Sequence, residues 1–215
     1  MDPVLFDFIM NGGVDFLRTA KRSTPPINSP DCYGPFITNG YTNYAKYSYV
    51  SYISNKISLF RKSPSLVAIS DQFSGCAMAY YMIDGTECIA HISLEFTSKA
   101  RDEWNEYILE HYKNITKYLI FRPMRTATRL YNSLFVSNIY PPNGCNIVGL
   151  ISQDGTKCFA VLTQVVRSPQ GVINYNILEC EDMTPYCHKC SDLSTASFRV
   201  LNDCLIPKNT AGGSW

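Results

Sequence analysis

A tight-turn dipeptide in the first half of the chain sets the strongest limit on its fold. Asp84-Gly85 separates two apolar runs, residues 77–83 and residues 88–94, and Asp-Gly is a preferred centre for a two-residue β-turn. The pattern predicts two antiparallel strands that pair over residues 77–94. The chain is therefore expected to contain an antiparallel sheet in which this hairpin is one unit.

A cysteine and a histidine lie on one predicted face of this hairpin. Cys76 immediately precedes the first strand, and His91 lies on the second. With Asp84-Gly85 at the centre of the turn, Met78 opposes His91. Cys76 and His91 are then diagonal neighbours whose side chains point to the same side. Such neighbours are about 7–8 Å apart at the backbone, a distance that a thiol and an imidazole can bridge.

Cys76 and His91 are the candidate nucleophile and base of a hydrolytic site. A thiolate can attack a carbonyl carbon, and an imidazole can accept and return the proton. Ser74 and Gly75 are small enough to let a substrate approach the backbone, whose N–H groups could stabilise an oxyanion. Ser70 could form the hydrogen bond that fixes the tautomer of His91. The alternative is that Cys76 is a small buried hydrophobic residue and His91 a hydrogen-bonded residue of the sheet.

The order of predicted elements indicates an α+β fold. Helical patterns cover residues 4–20 (interrupted at Gly12-Gly13), the segment after Thr97-Ser98 and residues 126–136; strand patterns cover residues 41–59, 66–69, 77–94, 118–121, 147–152, 157–166 and 171–180. This order predicts a mixed or antiparallel sheet with helices packed against it. We expect a single domain over residues 1–215, with an N-terminal helix and loop over 1–40 and an irregular C-terminal segment over 181–215.

Composition narrows the class of protein. With 215 residues, of which 46% are hydrophobic, the chain can bury a substantial core. The net charge of +1, with both signs mixed along the chain, gives no basic stripe for nucleic acid. No apolar stretch is long enough to span a membrane, and the first residues lack the pattern of a Sec signal peptide. The nine cysteines are expected to be reduced thiols in a cytosolic compartment.

The string Ser70-x-x-x-Ser74-Gly75-Cys76, followed by a hairpin and His91, resembles the cysteine glutamine deamidases. That family includes the catalytic domain of cytotoxic necrotizing factors, Burkholderia lethal factor and the chemoreceptor deamidases of chemotaxis. The lethal-factor and chemotaxis members have a threonine where this chain has Ser70, and Phe73 replaces a leucine. The resemblance covers residues 66–94 and implies a deamidase-toxin-like fold, a β-sandwich core flanked by helices.

The resemblance also implies a function, that of a bacterial toxin or effector that deamidates a glutamine of a host protein. Cys76 would attack the side-chain amide carbon with help from His91, ammonia would leave, and water would hydrolyse the thioester. Interception of the thioester by a primary amine would give transglutamination instead, and the sequence leaves both outcomes open. We expect a monomer without cofactor or metal, secreted without a Sec signal peptide and acting in the host cytosol.

A Cys-x-x-Cys pair is the main competing signal. Cys187 and Cys190 could form half of a tetrahedral zinc site. The second half would have to come from the following residues: Cys180, His188, Cys204 or Cys158. A surface turn with incidental thiols is the favoured interpretation, and a disulfide between Cys187 and Cys190 stays open. The alternative functions are a non-catalytic interaction domain with this zinc site, or another cysteine amidase or peptidase.

Three further polar residues have structural interpretations. His111 follows Trp104 on one predicted helical stripe that continues to Ile115, so it is expected at the edge of the core. Asp71 and Gln72 precede the cysteine turn, where solvation is their expected role. A role in orienting the site is the alternative for both residues.

Overall fold

The computed structural model describes residues 1–10, 13, 37–38, 40–43, 46–94, 99–124, 145–167, 169 and 173–208. Its helices are α1 (Pro3–Met10), α2 (Lys99–His111) and α3 (Phe198–Cys204). Its strands are β1 (Ile37–Thr38), β2 (Gly40–Asn43), β3 (Tyr47–Val50), β4 (Ile57–Arg61), β5 (Val67–Ser70), β6 (Ala77–Ile83), β7 (Thr86–Ile92), β8 (Ile115–Phe121), β9 (Cys145–Ile151), β10 (Cys158–Arg167), β11 (Ile173–Asp182) and β12 (His188–Asp192). The predicted α+β class is therefore confirmed.

The strands of the described residues form two six-stranded sheets. The first sheet has the order β1-β4-β7-β6-β8-β12, and the second has the order β11-β10-β9-β5-β3-β2. Most neighbouring strands are antiparallel, but β1 pairs with β4 and β3 pairs with β5 in parallel. Both sheets are therefore mixed.

The two sheets pack face to face around a shared apolar core. Met78 and Leu119 of the first sheet pack with Ala68 and Ile147 of the second sheet in one buried cluster. Alternation along each strand sends the intervening residues to the two outer faces. Helix α2 covers the outer face of the first sheet, and α1 covers that of the second. The result is a two-sheet sandwich flanked by helices, and its likeness to deamidase toxins stays a prediction.

The central hairpin forms in the predicted register. Strands β6 and β7 pair with Met78 opposite His91 and with Ile83 opposite Thr86. Asp84 and Gly85 have φ angles of 47° and 77°, the left-handed conformation that this class of turn requires at both central positions. His91 consequently lies on the face of β7 that meets the second sheet, where it is buried.

Several element boundaries differ from the sequence interpretation. The predicted strand region 41–59 contains parts of three separate strands, β2, β3 and β4. Ile115 begins β8 instead of continuing the stripe of α2. His111 is half-buried at the end of that helix, where its Nδ1 lies 3.0 Å from the Tyr107 carbonyl oxygen. The cap Thr97-Ser98, the helix 126–136 and most of residues 11–36 lie outside the described residues.

The expectation of an irregular C-terminal segment over 181–215 is wrong for its described part. Strand β12 pairs antiparallel with β8 at the edge of the first sheet, and α3 follows it. The sequence His-Lys-Cys-Ser-Asp of β12 has no apolar alternation because the strand lies at a sheet edge and is held by its backbone pairing. No helix among the described residues is long and apolar enough to cross a membrane.

Candidate active site

His91 is held in one tautomer by a hydrogen bond across the two sheets. Its Nδ1 lies 2.8 Å from the Ser70 Oγ, and that Oγ lies 2.6 Å from the Val50 carbonyl oxygen. A carbonyl oxygen can only accept, so the Ser70 hydroxyl donates to Val50 and its oxygen accepts from the Nδ1–H group. The network therefore assigns the proton to Nδ1 and leaves the lone pair of His91 on Nε2.

The other ring nitrogen of His91 faces the interior as an acceptor. Nε2 is buried and has no hydrogen-bond partner among the described residues. Burial lowers the pKa of His91 to about 3, so the imidazole is neutral at physiological pH. The ring stacks on Phe73, with centroids 4.2 Å apart and an interplanar angle of 3°. His91 is thus a neutral imidazole stacked on Phe73, and its Nε2 lone pair has no hydrogen-bond partner among the described residues.

Cys76 lies on the same inner face as His91. It immediately precedes β6, and its fully buried side chain packs in the inter-sheet core with Met78 and Phe73. Met78 is the cross-strand partner of His91, and Cys76 lies two residues before Met78, just outside the paired residues, which begin at Ala77. The diagonal contact of Cys76 with His91 stays a prediction. The fold thereby brings Cys76, His91 and Ser70 to one region between the sheets.

The turn before Cys76 carries the chain from the second sheet to the first. Ser74 and Gly75 are half-buried at this crossing. Gly75 has a φ of 127°, a conformation that L side chains rarely adopt. The carbonyl oxygen of Gly75 accepts two hydrogen bonds from Arg122, at 3.1 Å from Nε and 2.8 Å from Nη2. This paired contact fixes the plane of the peptide that joins Gly75 to Cys76.

Arg122 is a residue that sequence reasoning did not identify. It follows β8 directly, and β8 lies beside β6 in the first sheet. Nothing in the local sequence links it to the cysteine turn, because the contact depends on the pairing of two strands that are distant along the chain. The one usable signal is its position at the end of a predicted strand.

Asp71 anchors the same turn to the second sheet, so the expectation that it is solvated is wrong. Its carboxylate is fully buried and accepts from the Tyr49 hydroxyl at 2.9 Å and from Asn146 Nδ2 at 3.1 Å. The backbone N–H of Gln72 donates to Asn146 Oδ1 at 2.9 Å. The side chain of Gln72 is exposed. A buried carboxylate requires such partners, and they determine where the turn begins.

The Cys-x-x-Cys pair does not converge on one point. Cys187 packs against the inter-sheet core, whereas Cys190 packs against the cluster under α2 and α3 on the outer face. The described part of the chain contains no group of three or more potential metal ligands. The eight cysteines within it are all thiols, and Cys32 lies outside it. The zinc interpretation therefore has no support in this geometry.

No protein-family model, curated protein or solved structure matches the chain. The geometry around Cys76 and the local resemblance of residues 66–94 are therefore the observations that bear on function. Both concern the same short segment of the fold.

Proposed function

We propose that the protein is a cysteine-dependent glutamine deamidase, a bacterial toxin or effector that acts on a host protein. One observation carries the proposal: Ser70 fixes His91 with the lone pair of Nε2 on the inner face that Cys76 shares. A neutral imidazole with a free lone pair and a thiol on the same inner face are the two groups that general-base activation of a cysteine uses. In the buried state the imidazole is a weak base, with a pKa of about 3, so catalysis requires substrate binding to raise the pKa of His91. The resemblance to the deamidases supplies the substrate class.

In the acylation step, Cys76 attacks the carbon of the glutamine side-chain amide. The thiol proton passes to Nε2 of His91 as the new S–C bond forms. The oxygen of the tetrahedral intermediate carries the negative charge, which backbone N–H groups of the Ser74–Gly75 turn would stabilise. The C–N bond then breaks, and ammonia leaves with the proton from His91.

In the deacylation step, water attacks the thioester with His91 again as the base. The products are a glutamate side chain and the regenerated thiol, so the reaction consumes one water and requires no cofactor. A primary amine in place of water would give transglutamination through the same intermediate. Cys76, His91 and Ser70 are the residues of this mechanism, with His91 as base and Ser70 as its positioning partner.

The proposed setting is the cytosol of a host cell, reached after secretion without a Sec signal peptide. The partner is a host protein that carries the target glutamine. Loops around the site would select that protein, while the buried pair performs the chemistry.

A mass-spectrometric assay tests the proposed reaction. Candidate host proteins incubated with the wild type should gain about 1 Da at one glutamine, because OH replaces NH₂. Cys76→Ser and His91→Ala should both abolish the gain. A mass gain that persists in Cys76→Ser would contradict the mechanism.

A second candidate function is a non-catalytic interaction domain. Cys76 and His91 are only 0% and 1% exposed, which is typical of structural residues. A thiol-reactive probe at neutral pH separates the two functions. Selective labelling of Cys76 that depends on His91 favours the enzyme, and labelling that simply follows thiol exposure favours the interaction domain.

A further inference from the structure

A second pair of thiols lies away from Cys76, at the junction of β10 and β12. Cys158 begins β10 in the second sheet, and Cys187 directly precedes β12 in the first sheet. Both side chains pack in the same inter-sheet cluster, close enough for each thiol to shift the pKa of the other. The Cys187 thiol donates to the Thr184 carbonyl oxygen at 3.1 Å.

Hydrogen bonds attach the backbone of Cys158 to the two residues Met183 and Thr184, which precede Cys187 in the chain. The N–H of Cys158 donates to Thr184 Oγ1 at 3.1 Å, and the N–H of Met183 donates to the Cys158 carbonyl oxygen at 2.8 Å. These bonds attach the turn that carries Cys187 to the first residue of β10. The fold therefore holds the two cysteines close to each other through these backbone contacts and their shared packing.

The environment makes the two thiols chemically unequal. The hydrogen bond from Cys158 lowers the pKa of Cys187, and the positive charge of Lys189 lowers it further. Burial raises the pKa of Cys158, which is fully buried, whereas Cys187 is half-buried. A half-exposed thiol of lowered pKa beside a fully buried thiol of raised pKa is the arrangement of an attacking and a resolving cysteine.

We propose that Cys158 and Cys187 form a reversible oxidation site, in which a peroxide converts the pair into a disulfide that links the two sheets. In the first step, the Cys187 thiolate attacks one oxygen of the peroxide, the O–O bond breaks, and Cys187 becomes a sulfenic acid. In the second step, Cys158 attacks that sulfur and displaces water. Two thiols lose two electrons and two protons, and one hydrogen peroxide becomes two waters.

The disulfide would join the edge strand of the first sheet to β10 of the second. A cross-link stabilises a fold chiefly by restricting the unfolded chain. The oxidised form should therefore melt several degrees higher than the reduced form, and dithiothreitol should reverse the shift.

Disulfide mapping of the full chain tests this proposal. The reduced protein is freed of reductant, treated with one equivalent of hydrogen peroxide, alkylated and digested without reduction. The expected result is a loss of about 2 Da in intact mass and one dominant cross-linked peptide that joins Cys158 to Cys187. A dominant Cys187–Cys190 disulfide, or sulfenic acid on Cys187 with Cys158 still alkylated, overturns the proposal.

Matched variants give a second measurement. Cys190→Ser removes another half-buried thiol of the same segment, one that also donates to a backbone carbonyl, and it should leave the cross-link unchanged. Cys158→Ser should stop the reaction at a sulfenic acid on Cys187, which dimedone traps. If Cys158→Ser does not fold, the disulfide mapping of the oxidised wild type is sufficient to test the proposal. Equal oxidation rates at Cys187 and Cys190 in the wild type also overturn the proposal.

Discussion

Ser70 Oγ and His91 Nδ1 lie 2.8 Å apart although the two residues belong to different sheets. Ser70 ends β5 in the second sheet, and His91 lies in β7 of the first. The orientation of the candidate base thus depends on how the two sheets pack. Both groups are buried, so loss of either partner leaves a polar atom without water to replace it.

Ser70→Ala should weaken both folding and catalysis. The variant deprives His91 Nδ1 and the Val50 carbonyl oxygen of a partner, at a cost of about 1–3 kcal/mol in the free energy of unfolding. Ser70→Thr keeps the hydroxyl and should restore most of the deamidation rate. Ser58→Ala is the control, because Ser58 is buried opposite His91 on β4 and its Oγ has no partner among the described residues. Equal losses in both alanine variants, measured by urea denaturation, would argue against the role of Ser70.

Acid should destabilise the wild type partly through His91. The folded state keeps His91 neutral down to a pH near its pKa of about 3, whereas the unfolded chain takes up the proton at about pH 6.5. The contribution of His91 to the free energy of unfolding is therefore complete above pH 6.5. It falls as the pH drops from 6.5 towards 3, by up to about 1.4 kcal/mol per pH unit. His91→Phe keeps an aromatic ring against Phe73 but removes the imidazole that takes up the proton. Denaturation between pH 7 and 4 should show a shallower pH dependence in His91→Phe; identical slopes would exclude the effect.

Arg122 should affect acyl transfer more than thiol reactivity. Arg122→Lys keeps the charge but loses the paired contact with the Gly75 carbonyl oxygen, so the peptide before Cys76 is less firmly oriented. The burst of p-nitrophenolate from p-nitrophenyl acetate, which passes through an oxyanion, should slow by about tenfold or more. Alkylation of Cys76 by iodoacetamide forms no oxyanion and should be nearly unchanged.

A matched arginine provides the control for that experiment. Arg101 also donates to a backbone carbonyl, that of Lys208 at 2.9 Å, but lies on α2 away from the site. Arg101→Lys should leave both rates as they are. Parallel losses of burst and alkylation in Arg122→Lys would mean that Arg122 only supports the local fold.

Gly149→Ala should disturb the packing behind His91. A Cβ at this position of β9 would lie 2.9 Å from Met78 Sδ, 3.0 Å from Phe73 Cε2 and 3.0 Å from Pro123 Cγ. Overpacking of this kind costs about 1–3 kcal/mol, and displacement of Phe73 removes the stack on His91. Gly85→Asn is the control, since nothing lies within 4 Å of a Cβ there and asparagine tolerates its positive φ. A melting temperature for Gly149→Ala no lower than that of the control would contradict the packing argument.

The hairpin and its register could be predicted because local rules govern them, whereas the contact of Ser70 with His91 joins two sheets and was expected only from the chemistry of the two groups and the resemblance of residues 66–94. A turn dipeptide fixes the register, and the period of two decides which side chains share a face. The contacts of Arg122 and Asn146 could not be predicted, since they depend on which distant strands become neighbours. Strand β12 was missed because an edge strand needs no apolar pattern.

The Cys-x-x-Cys motif is a second case in which the sequence pattern did not predict the spatial neighbours of a residue. Close spacing in sequence indicates a shared site, but residues an odd number of positions apart along an extended segment face opposite sides. Cys187 and Cys190 are separated in this way, and Cys187 packs in the same cluster as Cys158, whereas Cys190 packs in another. Cys158 and Cys187 are distant in sequence and become neighbours only because the two sheets pack together.

The hydrogen bond between Ser70 and His91 has a consequence for the order in which activity arises during folding. The hairpin alone already carries Cys76 and His91, since both belong to one continuous segment. A chain in which only the hairpin has formed would hold a thiol and an imidazole but not the second sheet that selects the tautomer. If the proposed function holds, such a chain would be a latent enzyme, and docking of the two sheets would be its activation step.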